Sequence, residues 1–85
     1  MKILYFAWLR SRIGTGEEDV SPPSDVDTVG KLIDWLKSRS PAHAEALSKA
    51  SVIRAAVNQD YAGLDHAVSS SDEVAFFPPV TGGSA

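Results

Sequence analysis

Val29, Leu32, Ile33 and Leu36 stand at positions i, i+3, i+4 and i+7, which places them in one apolar stripe along a helix, with Trp35 at its edge. This is the strongest helical signal in the chain. Asp27 or Thr28 can cap it, and Ser40-Pro41 stops it, because the residue before a proline avoids helical backbone angles. The same Ser-Pro pair opens a shorter helix over residues 42–49. Short strand-like runs flank the helix: Ile3 to Leu9, a weakly patterned stretch from Glu18 to Ser21 closed by Pro22-Pro23, Val52 to Val57, Tyr61-Ala62 after an Asn58-Gln59-Asp60 turn, and Val74 to Phe77. Arg10 to Ile13 reads as a helical turn ended by Gly14-Thr15-Gly16, residues 63–72 as a loop, and Pro78-Pro79 ends the last strand. One long helix among five short strands predicts an α+β roll, a mixed sheet with one main helix packed across one face.

With 85 residues, the chain has room for one modest core and no separate catalytic lobe. It has no cysteine, which excludes a disulfide framework, a thiol nucleophile and a cysteine zinc site, and points to a reducing, cytoplasmic compartment. The net charge is −3, and beyond Arg54, the last lysine or arginine, the charged residues are Asp60, Asp65, Asp72 and Glu73. That end would repel phosphate backbones and anionic lipid, so neither nucleic acid nor membrane is expected as a partner. The apolar run from Ile3 to Leu9 is too short to span a bilayer, and Arg10 and Arg12 follow it where a secretory signal would carry small residues.

Most enzyme signatures are missing. Gly14-Thr15-Gly16 lacks the third glycine of a dinucleotide fingerprint, and no glycine-rich loop is followed by a Lys-Ser/Thr pair. His43 and His66 fall in no ligand spacing, so no metal site is expected. Ser69-Ser70-Ser71-Asp72 reads as a turn, and Glu17-Glu18-Asp19 with Asp25 and Asp27 as a solvated acidic face without the spacing of a calcium loop.

Two features point to a partner. Both faces of the opening run are apolar, with Ile3, Tyr5, Ala7 and Leu9 on one side and Leu4, Phe6 and Trp8 on the other. A single helix covers only one sheet face. If the second set lies opposite the helix, it joins Tyr61 and Phe77 in an exposed apolar patch; the alternative is that the second helix and the loops cover it, and strand parity alone does not choose. The second feature is the end of the chain, where Phe76-Phe77-Pro78-Pro79 is followed by Val80-Thr81-Gly82-Gly83. Here a stiff spacer leads into a backbone thin enough to enter a narrow channel and offer an acyl carbon to another protein. The chain therefore divides into a folded domain, residues 1–79, and a flexible tail, residues 80–85.

Ala55-Ala56-Val57-Asn58-Gln59, Asp65-His66 and the closing run from Asp72 to Gly83 resemble the small subunit of molybdopterin synthase, the MoaD-type sulfur carriers with the ubiquitin-like β-grasp fold. The opening strand, the Thr28-Val29-Gly30 helix start and the length agree. The resemblance implies a non-catalytic sulfur-donor subunit of a sulfurtransferase complex, with no active site and no bound cofactor of its own. Its terminal glycine, matched by Gly83, is adenylated by an E1-like enzyme using ATP. A sulfur donor then converts it to a thiocarboxylate, which the large catalytic subunit uses to sulfurate a precursor pterin in molybdenum cofactor biosynthesis. By the same resemblance, Val80, Thr81 and Gly82 line the partner's channel, Phe6, Tyr61 and Phe77 form an apolar docking patch, and Arg10 pins its rim.

This chain departs from the family pattern in continuing past the second glycine with Ser84-Ala85. As written, Gly83 carries a peptide bond where the carboxylate should be, and an amide is not adenylated. The preferred reading is a working carrier bearing an extension. The alternatives are a ubiquitin-like modifier, a sulfur carrier for thiamine or tRNA thiolation, and a non-reactive binding module.

Overall fold

A computed structural model describes residues 1–48 and 52–79. In chain order the elements are β1 (Lys2–Tyr5), α1 (Trp8–Ile13), β2 (Glu17–Asp19), α2 (Val29–Lys37), α3 (Pro41–Leu47), β3 (Arg54–Val57), β4 (Asp60–Ala62) and β5 (Glu73–Phe77). The strands form one sheet in the order β2-β1-β5-β3-β4. β1 runs parallel to β5 and every other pairing is antiparallel, which gives the mixed β-grasp sheet that the sequence predicts.

Helix α2 starts where capping chemistry places it. The Thr28 hydroxyl accepts the backbone N–H of Lys31 at 3.2 Å, and Asp27 pairs with the Lys31 ammonium at 3.0 Å across one turn. Its stripe of Val29, Leu32, Ile33 and Leu36 is buried against Ile3 and Tyr5 of β1 and Val74 and Phe76 of β5, within a core that also takes in Leu9, Ala46 and Leu47. Each such side chain contributes about 1.5–3 kcal/mol on burial. Ser40 caps α3 by accepting the His43 N–H, and Pro41 occupies the first turn, where no N–H is needed. Asn58 and Gln59 both have positive φ (50° and 74°), as a two-residue hairpin between β3 and β4 requires.

The opening strand is shorter than its apolar run predicts. It ends at Tyr5, because Ala7 turns to φ 56° and ψ −136° and the Leu9 N–H donates to the Phe6 carbonyl at 3.2 Å. Trp8 and Leu9 consequently belong to α1. Leu9 is fully buried, and Trp8 is half-buried with the Arg12 guanidinium 6.0 Å from its ring, so Trp8 does not continue the strand's outer face. The second strand spans Glu17–Asp19 instead of 18–21, and the third begins at Arg54, leaving Val52 exposed. The second helix begins at Pro41 and ends at Leu47; the predicted extension to Lys49 lies outside the described residues.

A polar cluster sits within this apolar frame. Alternation along β2 turns Glu18 inward while Glu17 and Asp19 point out, and the Glu18 carboxylate accepts from the Tyr5 hydroxyl at 2.7 Å and from His43 Nε2 at 2.8 Å. Ser40 Oγ lies 2.7 Å from His43 Nδ1, and the Arg39 guanidinium, 5.0 Å from the centre of the Trp35 ring, lies 3.7 Å from the second Glu18 oxygen. Burial alone would raise the Glu18 pKa. The hydrogen bonds from His43 and Tyr5, together with the His43 and Arg39 charges, outweigh it and hold the carboxyl below its usual range. Burial and the neighbouring Glu18 push the Tyr5 phenol far up, so it stays a donor.

Two measurements check this account. A carboxyl whose pKa is depressed on folding contributes stability that is present above its unfolded value and lost as pH falls through the folded one. Glu18→Gln is therefore expected to flatten the acid limb of stability against pH below about pH 4.5 relative to the parent chain, read as urea midpoints. Ala7→Gly keeps the positive-φ backbone and relieves the steric cost an L side chain bears there, and is expected to raise stability by about 1 kcal/mol in the same assay.

Candidate functional site

The register of the sheet decides what the uncovered face displays. On the helix side, Ile3 pairs with Val74, Tyr5 with Phe76, and Phe76 with Ala55. The opposite face carries the intervening residues in rows. Asp19, Lys2 and Glu73 form the first row, Glu17, Leu4, Ala75, Ala56 and Tyr61 the second, and Phe77 with Arg54 the third. Phe6 extends that third row, since its N–H donates to the Phe76 carbonyl at 3.1 Å and keeps the strand rhythm for one residue past Tyr5. Parity thus brings Phe6, Tyr61 and Phe77 onto one face, with Leu4 behind them.

Tyr61 is 80% exposed and Phe6 49%, and the Tyr61 and Phe77 rings pack against each other with centroids 5.8 Å apart. A cleft of about 260 Å³, lined by Arg54, Tyr61, Phe77 and Pro79, opens where the chain leaves β5. Exposed rings grouped in this way are the composition of a protein-binding anchor. A second hollow of about 280 Å³ lies between α2 and β4, bordered by Val29, Ile33, Ala62 and Leu64, and it shares Arg54 with the first.

Arg10 takes a different position from Arg54. It lies on α1, its side chain against Gly16, and it lines a polar hollow with Ser11, Gly14, Thr15 and Gly16. The cation in the aromatic cleft is Arg54, which sequence reading passed over. Its position follows from parity, because Arg54 lies directly across from Phe77 in the antiparallel register.

The residues weighed for other chemistry have structural roles. His43 belongs to the Glu18 cluster, and the exposed His66 places Nδ1 2.8 Å from the Ala67 carbonyl. Among the described residues no group of three His, Cys, Asp or Glu side chains could hold a metal ion. Asp72 accepts from the Asn58 amide at 3.0 Å and the Ser69 N–H at 2.8 Å, bonds that lower its pKa and close the turn read from the serine run. No described helix is long and apolar enough to cross a membrane. The tail expectations for Val80, Thr81, Gly82 and Gly83, the following Ser84-Ala85, and the division at residue 80 lie outside the described residues.

Comparison with known proteins decides the family. The sequence matches the ThiS family over residues 3–83, which includes both glycines of the tail. The chain belongs to the ThiS family. It is 42% identical over 83 residues to the molybdopterin synthase sulfur carrier subunit of Escherichia coli, spanning 98% of this chain and 99% of that one. It is 38% identical over 84 residues to the protein of the same name from Dictyostelium discoideum, spanning 96% and 94%. Among solved structures, the small archaeal modifier protein 1 of Haloferax volcanii superposes with a TM-score of 0.74 at 31% identity, covering 94% of this chain and 97% of that one. The resemblance read from the sequence and the β-grasp fold it implied are both borne out.

Two adjacent phenylalanines separate the two faces by experiment. Phe76 is fully buried in the core and Phe77 is half-buried on the outer face. Phe76→Ala is expected to cost about 3–5 kcal/mol in urea unfolding, whereas Phe77→Ser should cost well under half of that and act mainly on partner binding.

Proposed function

We propose that this chain is the sulfur carrier subunit of a molybdopterin synthase, with Gly83 as the acyl carrier and the outer sheet face as the handle. The observation that carries the reading is the aromatic group of exposed Phe6 and Tyr61 with half-buried Phe77, on the outer sheet face near the end of β5, the strand that precedes Gly82-Gly83 in the sequence. Near-full-length similarity to proteins named as such subunits supports it.

In this reading a catalytic partner subunit binds the face, and Val80 to Gly82 line its channel. The chemistry starts at a carboxylate, which is resonance-stabilised and a poor electrophile. An E1-like enzyme joins it to the α-phosphorus of ATP, releasing pyrophosphate and leaving a mixed anhydride. Sulfide supplied by a sulfur donor then attacks the acyl carbon, and the C–O bond to AMP breaks as the C–S bond forms, releasing AMP. The thiocarboxylate carries a soft nucleophilic sulfur to a precursor pterin, and hydrolysis of the resulting acyl intermediate returns the carboxylate. None of these steps requires a cofactor bound to this chain, and all are cytoplasmic.

Gly83 is followed by Ser84, so the peptide bond between them must be hydrolysed before any of this begins. Intact mass spectrometry tests the proposal on two forms, one ending at Gly83 and one retaining Ser84-Ala85, each incubated with ATP, the adenylating enzyme and a sulfur source. The shorter form is expected to exchange one oxygen for one sulfur and the longer form to remain unchanged. No exchange in the shorter form would overturn the carrier reading.

The likeness to a protein named as an archaeal modifier favours a second reading, in which the activated Gly83 is passed to lysine amines. Isopeptide-linked Gly83 in cell extracts would support it. Restoration of pterin sulfuration in a strain lacking its carrier would favour the first.

A further inference from the structure

The sheet order gives β4 a neighbour on one side only, and among the described residues no strand pairs with its outer edge. The hairpin fixes which backbone groups face that edge, because bonded and unbonded pairs alternate along an antiparallel ladder. Val57 and Asp60 flank the two-residue Asn58-Gln59 turn and form the bonded pair that closes it. Ala55 and Ala62 form the next bonded pair, and Ala56 opposite Tyr61 is the unbonded pair between them. The far side of β3 agrees: the Asn58 N–H donates to the Glu73 carbonyl at 2.7 Å, so Ala56, of the same parity, turns its own groups toward β5. Tyr61 therefore aims both its N–H and its carbonyl away from the sheet, with its ring 80% exposed on the outer face.

This edge is one residue wide. Beyond Ala62 the Gly63 carbonyl accepts the His66 N–H at 3.1 Å and the Leu64 carbonyl accepts the Gly30 N–H at 2.8 Å, and before Asp60 the chain is in the turn. A donor and an acceptor side by side on one residue are matched by the same residue of a second copy, arriving antiparallel on a two-fold axis through Tyr61. The side chains fit that register. The two Tyr61 rings stand beside each other on the outer face as a cross-strand aromatic pair, and each Asp60 lies opposite Ala62 of the second copy. The two Asp60 residues are then about 8 Å apart, near the Debye length at physiological salt, so their like charge does not forbid the contact.

We infer that the β4 edge is a self-association surface, on which two copies of this chain pair β4 to β4, antiparallel and centred on Tyr61, to join their five-stranded sheets into one. The edge is short, so the dimer is weak and depends on concentration. The pairing stands on sheet geometry and is independent of the proposed carrier role.

The test is a dilution series of the full chain at physiological salt, followed by amide NMR and by sedimentation. The Tyr61 amide is expected to show the largest concentration-dependent shift, because it gains a hydrogen bond, whereas the Asp60 and Ala62 amides are already bonded to β3. Two variants read the register. Ala62→Lys would face Asp60 of the second copy and should tighten association about tenfold, since the contact occurs twice, and Ala62→Glu should weaken it by a similar factor. Both put a long side chain at the same half-buried site, so a shared folding defect cannot produce opposite signs. Ser24→Lys makes the same change in net charge in the loop that follows β2, the other edge strand, and should tighten association much less. A monomer at every concentration would overturn the inference. So would association that leaves the Tyr61 amide unmoved, or that Ala62→Lys and Ala62→Glu shift alike or not at all.

Discussion

The parallel pairing of β1 with β5 is the constraint from which the outer face follows. These are the first and last strands of the chain, and in parallel alignment both run toward the same end of the sheet. Phe6, just past β1, and Pro78-Pro79, just past β5, therefore emerge side by side. An antiparallel alignment would have sent them to opposite ends. The register supplies the other half of the geometry: once Tyr5 and Phe76 are opposed in the core, alternation forces Phe6 and Phe77 outward together. The helix stripe selects that register, because a one-residue slip would turn Leu4, Ala75 and Phe77 toward α2 and expose Val74 and Phe76.

Around this central pair, the Glu18 cluster fastens the periphery. β2 has three residues and α3 has seven, too few for either to be stable alone. Glu18 joins them to the central strand, with Tyr5 from β1 and His43 from α3 meeting on one carboxylate oxygen. Slipping β2 so that Asp19 took this place would present a carboxylate one methylene shorter to the same donors. The cluster therefore specifies register as well as adding cohesion, and among the described residues no buried side-chain polar atom is left without a partner.

Much of the architecture was legible in the sequence because it rests on local signals. The α2 stripe, the Thr28 cap, the Ser40-Pro41 break, the Asn58-Gln59 turn and the proline pair after β5 each carry their own chemistry. The extent of β1 was hidden because Ala7 adopts a backbone shape that nothing in an alanine advertises; an apolar run reads as strand until such a turn breaks it. Which apolar set faces outward was also undecided, since both sets are greasy and only tertiary pairing distinguishes them. Arg54 was missed for a related reason. Its place in the cleft comes from Phe77, 23 positions later in the chain, through a pairing that has no local signature. Glu18 looked like one of three solvated acids until strand alternation placed it inside.

The acidic edge strand has a further consequence for the life of the free chain. A monomer with an open sheet edge is a candidate for stacking onto its own copies, and a longer, neutral β2 would offer its unpaired backbone as a template. With only three residues, all of them acids, β2 is a poor seed: a second copy arriving edge-on would set carboxylate against carboxylate. Self-assembly through the β2 edge, the one away from Tyr61 and β4, is thereby discouraged.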